Sequence, residues 1–456
     1  MQHKKEHLTA VGEAGCFLLY IFAAQKENKE SKKMKKKVIS MFLTACTVSV
    51  MVVGGGSNLV MADDAETVTL MGWYDEDDMN PILEKVNEQM DGKYVIEYTY
   101  VANTDYNNVL STQLASGEGP DIIMDGTNYP AEIKAGNVED ISDYDFVKEF
   151  NEAGMSLCSA DGKIYGIPSY GWFSGIWCNA SILEECGVEI PKTFDEFVAA
   201  CETINEKGYT AYGFGIADDS TATSSLLGYL ENSYYHNNEE ANPDGTDFDT
   251  KFALGEVTMD GHINDCVNKW CTLVEKGLIA SESLGISCQE MLNSFKNGEV
   301  AFLHGGPWQY TELKESGVNF KMLPQLSETG ENEYVLGGPA ACFGINVNTE
   351  NHDGAEATLT ALASVEVQQA FADANVGGTS YRSGVEAQMP EEYEYVADII
   401  NNGNIAFPSD RWSVNLPSQS LFDEFTAQLQ GVISGDISGD DLVKAIDTKA
   451  DSIRYE

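Results

Sequence analysis

Residues 68–126 read VTLMGWYDEDDMNPILEKVNEQMDGKYVIEYTYVANTDYNNVLSTQLASGEGPDIIMDG, and their periodicity decides the fold class. VTLMGW (68–73) alternates as a strand. NPILEKVNEQMDG (80–92) predicts a helix with Asn80 as N-cap, Pro81 at its first position and Gly92 as its stop. YVIEYTYV (94–101) is a second strand, and DYNNVLSTQLASGEG repeats apolar or long side chains at 106, 109, 110, 113 and 114, the helical period. PDIIMDG closes the run as a short buried strand. Strand, helix, strand, helix, strand predicts an α/β layer with a parallel sheet.

The alternation resumes downstream. TFDEFVAACETINEKG opens with a capping box, Thr193 and Glu196, and GHINDCVNKWCTLVEKGL is amphipathic. GEVAFLHG and GPAACFGINVN read as strands, and the chain beyond about 355 reads as mostly helical. At 456 residues, with neither an internal repeat nor a low-complexity linker, the chain calls for two α/β bodies that it crosses between more than once.

A net charge of −46 argues against nucleic acid and anionic membranes, which need a positive face. Residues 1–62 run the other way, with nine Lys against four Glu. From Met34, MKKKVISMFLTACTVSVMVVGGGSNLVMADD has three lysines, an apolar stretch and small residues at Val60 and Ala62, the layout of a secretory signal peptide cut after Ala62. The true start is then expected at Met34. LTAC (43–46) offers a rival, lipid-modified Cys46, but the residues after it stay apolar. Eight cysteines lie beyond the leader without a CxxC pair; they are expected to be mainly small buried hydrophobes, and spacing does not assign pairs among them.

Several stretches together resemble the extracellular solute-binding proteins of ABC importers, in the carbohydrate-binding group that includes maltose-binding protein. They are TQLASGEGPDIIM, DGKIYGIPSYGWFSGIWCNASILEECGVEIPKTFDEF, FKNGEVAFLHGGPW, KMLPQL and GGPAACFGINVNT, in the family's order across residues 67–456. WCNAS departs from the pattern, with Cys178 and Ala180 where relatives carry Tyr and Lys. The resemblance implies a two-lobed periplasmic-binding-protein-like fold (type II) with a hinge of crossing strands and a ligand cleft between the lobes. It places the crossings near PSYGWFSG, KMLPQL and VGGTSY, with lobe one at 67–171 plus 326–378 and lobe two at 172–325 plus 379–456. It further implies capture of a saccharide for a membrane permease, with no cofactor, no catalysis and a monomeric chain.

The residues themselves suit that chemistry. In GGPWQY (305–310), two glycines and a proline present Trp308 at a helix start, where a flat indole can cover the C–H face of a sugar ring; wedging the helix against the sheet is the rival role. Trp73, Tyr74 and Asp75 follow the first strand, and Asp125, Asn128 and Tyr129 follow the third, at the carboxyl ends where α/β sheets bind ligands. Trp172 lies in the first hinge segment. Asp219, beside Asp218, falls where the family places an acidic contact, while Tyr381, Arg382 and Trp412 come from later segments. Trp412 matches a family stacking position, and the arginines, Arg411 included, suit ion pairs with the many carboxylates better than ligand contact.

A metal site is not expected, since the six histidines show no HExxH or paired spacing. A secreted glycosidase remains an alternative, as does a receptor for a cationic oligopeptide or polyamine; paired carboxylates in so acidic a chain do not decide the first.

Overall fold

The computed structural model describes residues 49–52, 65–218, 220–236 and 248–455. The chain divides into Met1–Val50 and Met51–Glu456, and the second unit holds both large sheets from Glu66 onward. The signal-peptide cut, Cys46 and Asp219 lie outside the described residues.

One sheet runs in the order Tyr94–Tyr100, Glu66–Gly72, Ile122–Asp125, Cys342–Ile345, Ile167–Pro168. The first three strands are parallel, with Leu70 opposite both Tyr98 and Ile122, and the last two join antiparallel. Alternation does the sorting: Val68 and Leu70 enter one core and Met71 the opposite one. The helix between the first two strands starts earlier than its proline suggested. It spans Glu76–Gln89 with Pro81 inside. Asp75 supplies the start, its Oδ1 accepting the Asp78 N–H at 3.1 Å and its carbonyl the Met79 N–H at 3.0 Å. Pro81 then forfeits one backbone bond within the second turn.

A second sheet runs Ile405–Ala406, Val335–Pro339, Gly171–Asn179, Val300–Gly305, Thr210–Gly213, and Phe320–Leu323 also pairs with Gly171–Asn179. The nine-residue strand Gly171–Asn179 is its spine. Ile176 and Cys178 face the largest core, Phe173 and Trp177 the smaller core behind it. The Thr193–Glu196 capping box forms as expected and starts the helix Phe194–Glu206.

Two antiparallel segments join the sheets. Ile167–Pro168 continues through Tyr170 into Gly171–Asn179, and Val335–Pro339 continues through Ala341 into Cys342–Ile345. GPAACFGINVN is therefore not one strand, and the second crossing falls at 340–341 rather than in KMLPQL, whose first residues pair within the second sheet, Lys321 opposite Cys178 and Leu323 opposite Ile176. A third segment lies alongside, with Gly171 and Thr379 exchanging backbone bonds of 2.7 and 2.9 Å. That approach requires glycine, because a Cβ at 171 would stand 2.0 Å from Thr379 Oγ1.

Two long-range links brace the cores. Cys158 and Cys342, both fully buried, form a disulfide that closes a separation of 184 residues. Cys178, Cys201 and Cys271 are buried free thiols, whereas Cys186, Cys266 and Cys288 are half-buried. In the second core, Arg411 donates from Nε and Nη2 to Asp249 Oδ2 at 3.0 and 2.7 Å and from Nη2 to Glu231 Oε1 at 2.7 Å. Burial pushes the Asp249 carboxyl up to about 6. Against burial, which acts upward, Arg411 and His236 hold Glu231 below the usual carboxylate range.

Reducing the disulfide should remove about 2–5 kcal/mol of stability; urea unfolding with and without reductant measures it, and superimposed curves would contradict the link. Arg411→Ala should cost about 3–5 kcal/mol, because it strands two buried carboxylates. Calorimetry of the variant at neutral pH tests that.

Candidate functional site

The wall contributed by the second sheet is built at the end of Val300–Gly305. A short 3-10 turn, Pro307–Gln309, precedes the helix Tyr310–Ser316. Gln309 Oε1 accepts the indole N–H of Trp177 at 2.9 Å and fixes the turn from below. Trp308 points the other way. A Cβ on Gly306 would meet the Trp308 ring at 2.1 Å and the Phe173 carbonyl at 2.4 Å, so the indole lies directly over a bare Cα. Even so, Trp308 is 48% exposed. An indole serving only as a wedge would be covered; this one leaves apolar area in water. Its ring centre stands 6.3 Å from that of Trp172, at 60°, and Trp172 in turn meets Phe407 edge-on at 5.5 Å. Trp172 packs against the main cores of both sheets, which puts it at the floor between them.

The facing elements come from the first sheet. Trp73 leaves Glu66–Gly72 and rests on the edge of Tyr106 at 4.9 Å, with Tyr74 at 5.8 Å. Tyr74 reaches the hinge residue Tyr170 at 6.4 Å. Asp125 ends Ile122–Asp125 almost wholly buried, its Oδ1 accepting the Gly126 N–H at 2.7 Å and its Oδ2 the Asn128 amide at 3.2 Å. Burial pushes its carboxyl up to about 7. Gly126 lies beside the Trp73 ring and close to the Ala340 carbonyl, 3.5 and 3.3 Å from where a Cβ would stand. Beyond it, Thr127 Oγ1 donates to Gln419 Oε1 on the helix Ser418–Ser434, and Ser418 Oγ donates to the Thr127 carbonyl at 3.4 Å. The ends of the first sheet thus touch the second body directly.

Of the residues expected to meet a ligand, Trp172 and Trp308 form one group, and Trp73, Tyr74, Asp125 and Asn128 another. The crossing segments at Tyr170–Phe173 and Gly338–Ala341 run between them. Five expectations need correction. Asp75 is exposed and spends Oδ1 on the helix start. Tyr129 is core, its hydroxyl donating to the Tyr165 carbonyl at 2.8 Å. Trp412 is fully buried, stacked on Phe425 at 5.4 Å, with its N–H donating to Asp249 at 2.8 Å. Arg382 is committed to Ala363 O at 2.9 Å and Glu149 at 3.1 Å. Tyr381 is buried at the third crossing and lines a separate cavity there. Asp218, beside the undescribed Asp219, accepts the Cys288 N–H at 2.8 Å and caps a helix. Sequence reading missed Thr127, although it directly follows the quoted PDIIMDG, and it missed Gln419 and Phe407, which carry no local signal.

Comparison with known proteins agrees with this architecture. The sequence model for bacterial extracellular solute-binding proteins matches residues 82–398. The multiple sugar-binding protein of Streptococcus mutans serotype c is 22% identical over 354 residues, 75% of this chain and 81% of that one. Among solved structures, a family 1 extracellular solute-binding protein from Bifidobacterium longum subsp. infantis superposes with a TM-score of 0.65 at 24% identity, over 85% of this chain and all of that one. A Bacillus licheniformis sugar transporter protein in complex with stachyose gives 0.66 at 19% identity, over 84% of this chain and 98% of that one. The fold is accordingly the two-lobed solute-binding type, and the chain belongs to the bacterial extracellular solute-binding protein family.

Proposed function

We propose that this protein captures a saccharide, probed best with oligosaccharides, between two lobes divided near Tyr170, Ala340 and Gly378, and delivers it unaltered to the membrane permease of an ABC-type importer. On this reading it acts outside the cytoplasmic membrane, as a monomer, with hinge closure about the crossing segments. The observation that carries it is the half-exposed Trp308 lying over Gly306 and against Trp172. Two indoles at an angle offer apolar faces for the C–H sides of successive sugar rings, while the half-buried amide of Asn128, held by the buried Asp125 carboxyl, suits the hydroxyl rim. The Streptococcus mutans relative named for multiple sugars and the stachyose complex of the Bacillus licheniformis protein support a saccharide over a peptide. The groups gathered at the cleft are aromatic faces and hydrogen-bonding side chains, a set suited to holding a glycan without cleaving it.

Raffinose, stachyose and maltotriose, titrated calorimetrically, test the reading. Trp308→Ala should weaken the best of them by about 2 kcal/mol, roughly thirty-fold, and leave the ligand-free melting temperature nearly unchanged. Intact binding with a large loss of stability would support the wedge role instead, and hydrolysis products would favour an enzyme.

Gly306→Ala should reproduce that loss, since a methyl group at 306 displaces the indole. Combined with Trp308→Ala it should add little further loss of affinity, because both act on binding through one ring, while the clash with the Phe173 carbonyl lowers the melting temperature separately. Additive losses in the double variant would separate Gly306 from the indole.

A further inference from the structure

A second recess lies on the hinge and adjoins the tryptophans through Phe407, which packs against Trp172, although Trp73, Trp172 and Trp308 do not themselves line it. It is an open cavity of ≈ 540 Å³ between segment 151–156 on one side and segment 400–411 on the other, with Thr379–Tyr381 and Gly337–Pro339 running past. Such a volume holds a small organic molecule.

Its chemistry is lopsided. Asp410 lines it with Oδ1 buried and without a hydrogen-bond partner, while Oδ2 takes only a long 3.4 Å bond from Ser156 Oγ across the recess. A buried carboxylate oxygen without a donor is costly unless something supplies one. Arg411 also lines the cavity but does not supply one, because its guanidinium is bound to Glu231 and Asp249. The rest of the wall includes two rings, Phe407 and Tyr381, and the aliphatic side chains of Val385 and Ile405. A carboxylate beside aromatic faces suits an ammonium group, and the aliphatic wall suits a short hydrocarbon body.

We propose that this cavity binds a small aliphatic primary ammonium compound, with its –NH₃⁺ on Asp410 and its hydrocarbon body against Val385 and Ile405. Burial pushes the Asp410 carboxyl up to about 7, although Arg411 pulls it down and the Ser156 bond lowers it further; Glu231 adds an upward push. The carboxylate form therefore prevails at pH 8, where the amine is still protonated.

The probe is n-butylammonium chloride at pH 8, with 1-butanol as the uncharged isostere and KCl holding ionic strength constant. The melting temperature of the full chain should rise saturably, by about 2–4 °C, and should not respond to 1-butanol. Trp308→Ala should keep the rise, which separates this site from the saccharide reading. Asp410→Asn should abolish it. Ala387→Trp, on the exposed part of the wall, should abolish it too, without touching the carboxylate. No rise in the unaltered protein, an equal rise with 1-butanol, or a rise that survives both Asp410→Asn and Ala387→Trp would overturn the proposal.

Discussion

Residues Gly171–Ser174 lie antiparallel to Leu336–Pro339, and this short pairing is what the two-lobed arrangement depends on. It carries the backbone from one sheet to the other twice, and Thr379 closes a third strand against it at a distance that only a glycine at 171 allows. Bare backbone is the means at both levels. Gly171 lets the third crossing approach, where a Cβ would meet the side chains of Thr379 and Tyr381. The same device recurs at Gly306, where absence of a Cβ seats Trp308. Glycine thus fixes both the hinge and the aromatic surface beside it.

Polar groups around this floor fall into two classes. Arg411, Glu231, Asp249 and the Trp412 N–H satisfy one another inside the second core and have little left to offer a ligand. Asp125 and Asn128 are held near the cleft by local backbone and side-chain bonds, with burial keeping the Asp125 carboxyl near neutrality. A strongly acidic chain therefore does not present a uniformly anionic cleft. On the proposed reading, aromatic faces would supply the affinity and a few fixed polar groups the orientation.

The α/β class was legible because the strands of residues 66–125 alternate cleanly and their helices repeat at the helical period. What failed were features that depend on distant partners. FPSDRW and GGPW both place a tryptophan just after a proline turn, yet one indole is entombed and the other half-exposed. The difference is Asp249, 163 residues away from Trp412, which sequence spacing cannot pair with it. Tyr129 was misread for the same reason, since its hydroxyl partner is the carbonyl of Tyr165. The second crossing was misplaced because KMLPQL and GGPAAC are both short buried runs; only pairing partners tell a strand inside a sheet from one that leaves it. Cys158 and Cys342 gave no cue across their long separation.

On the proposed reading a glycan ring lies flat on Trp308. A crystal structure of the protein grown with stachyose decides this. A pyranose face should pack on the Trp308 indole, with Trp172 beneath the same ligand. Sugar density elsewhere on the molecule, with Trp308 still open to solvent, would contradict it.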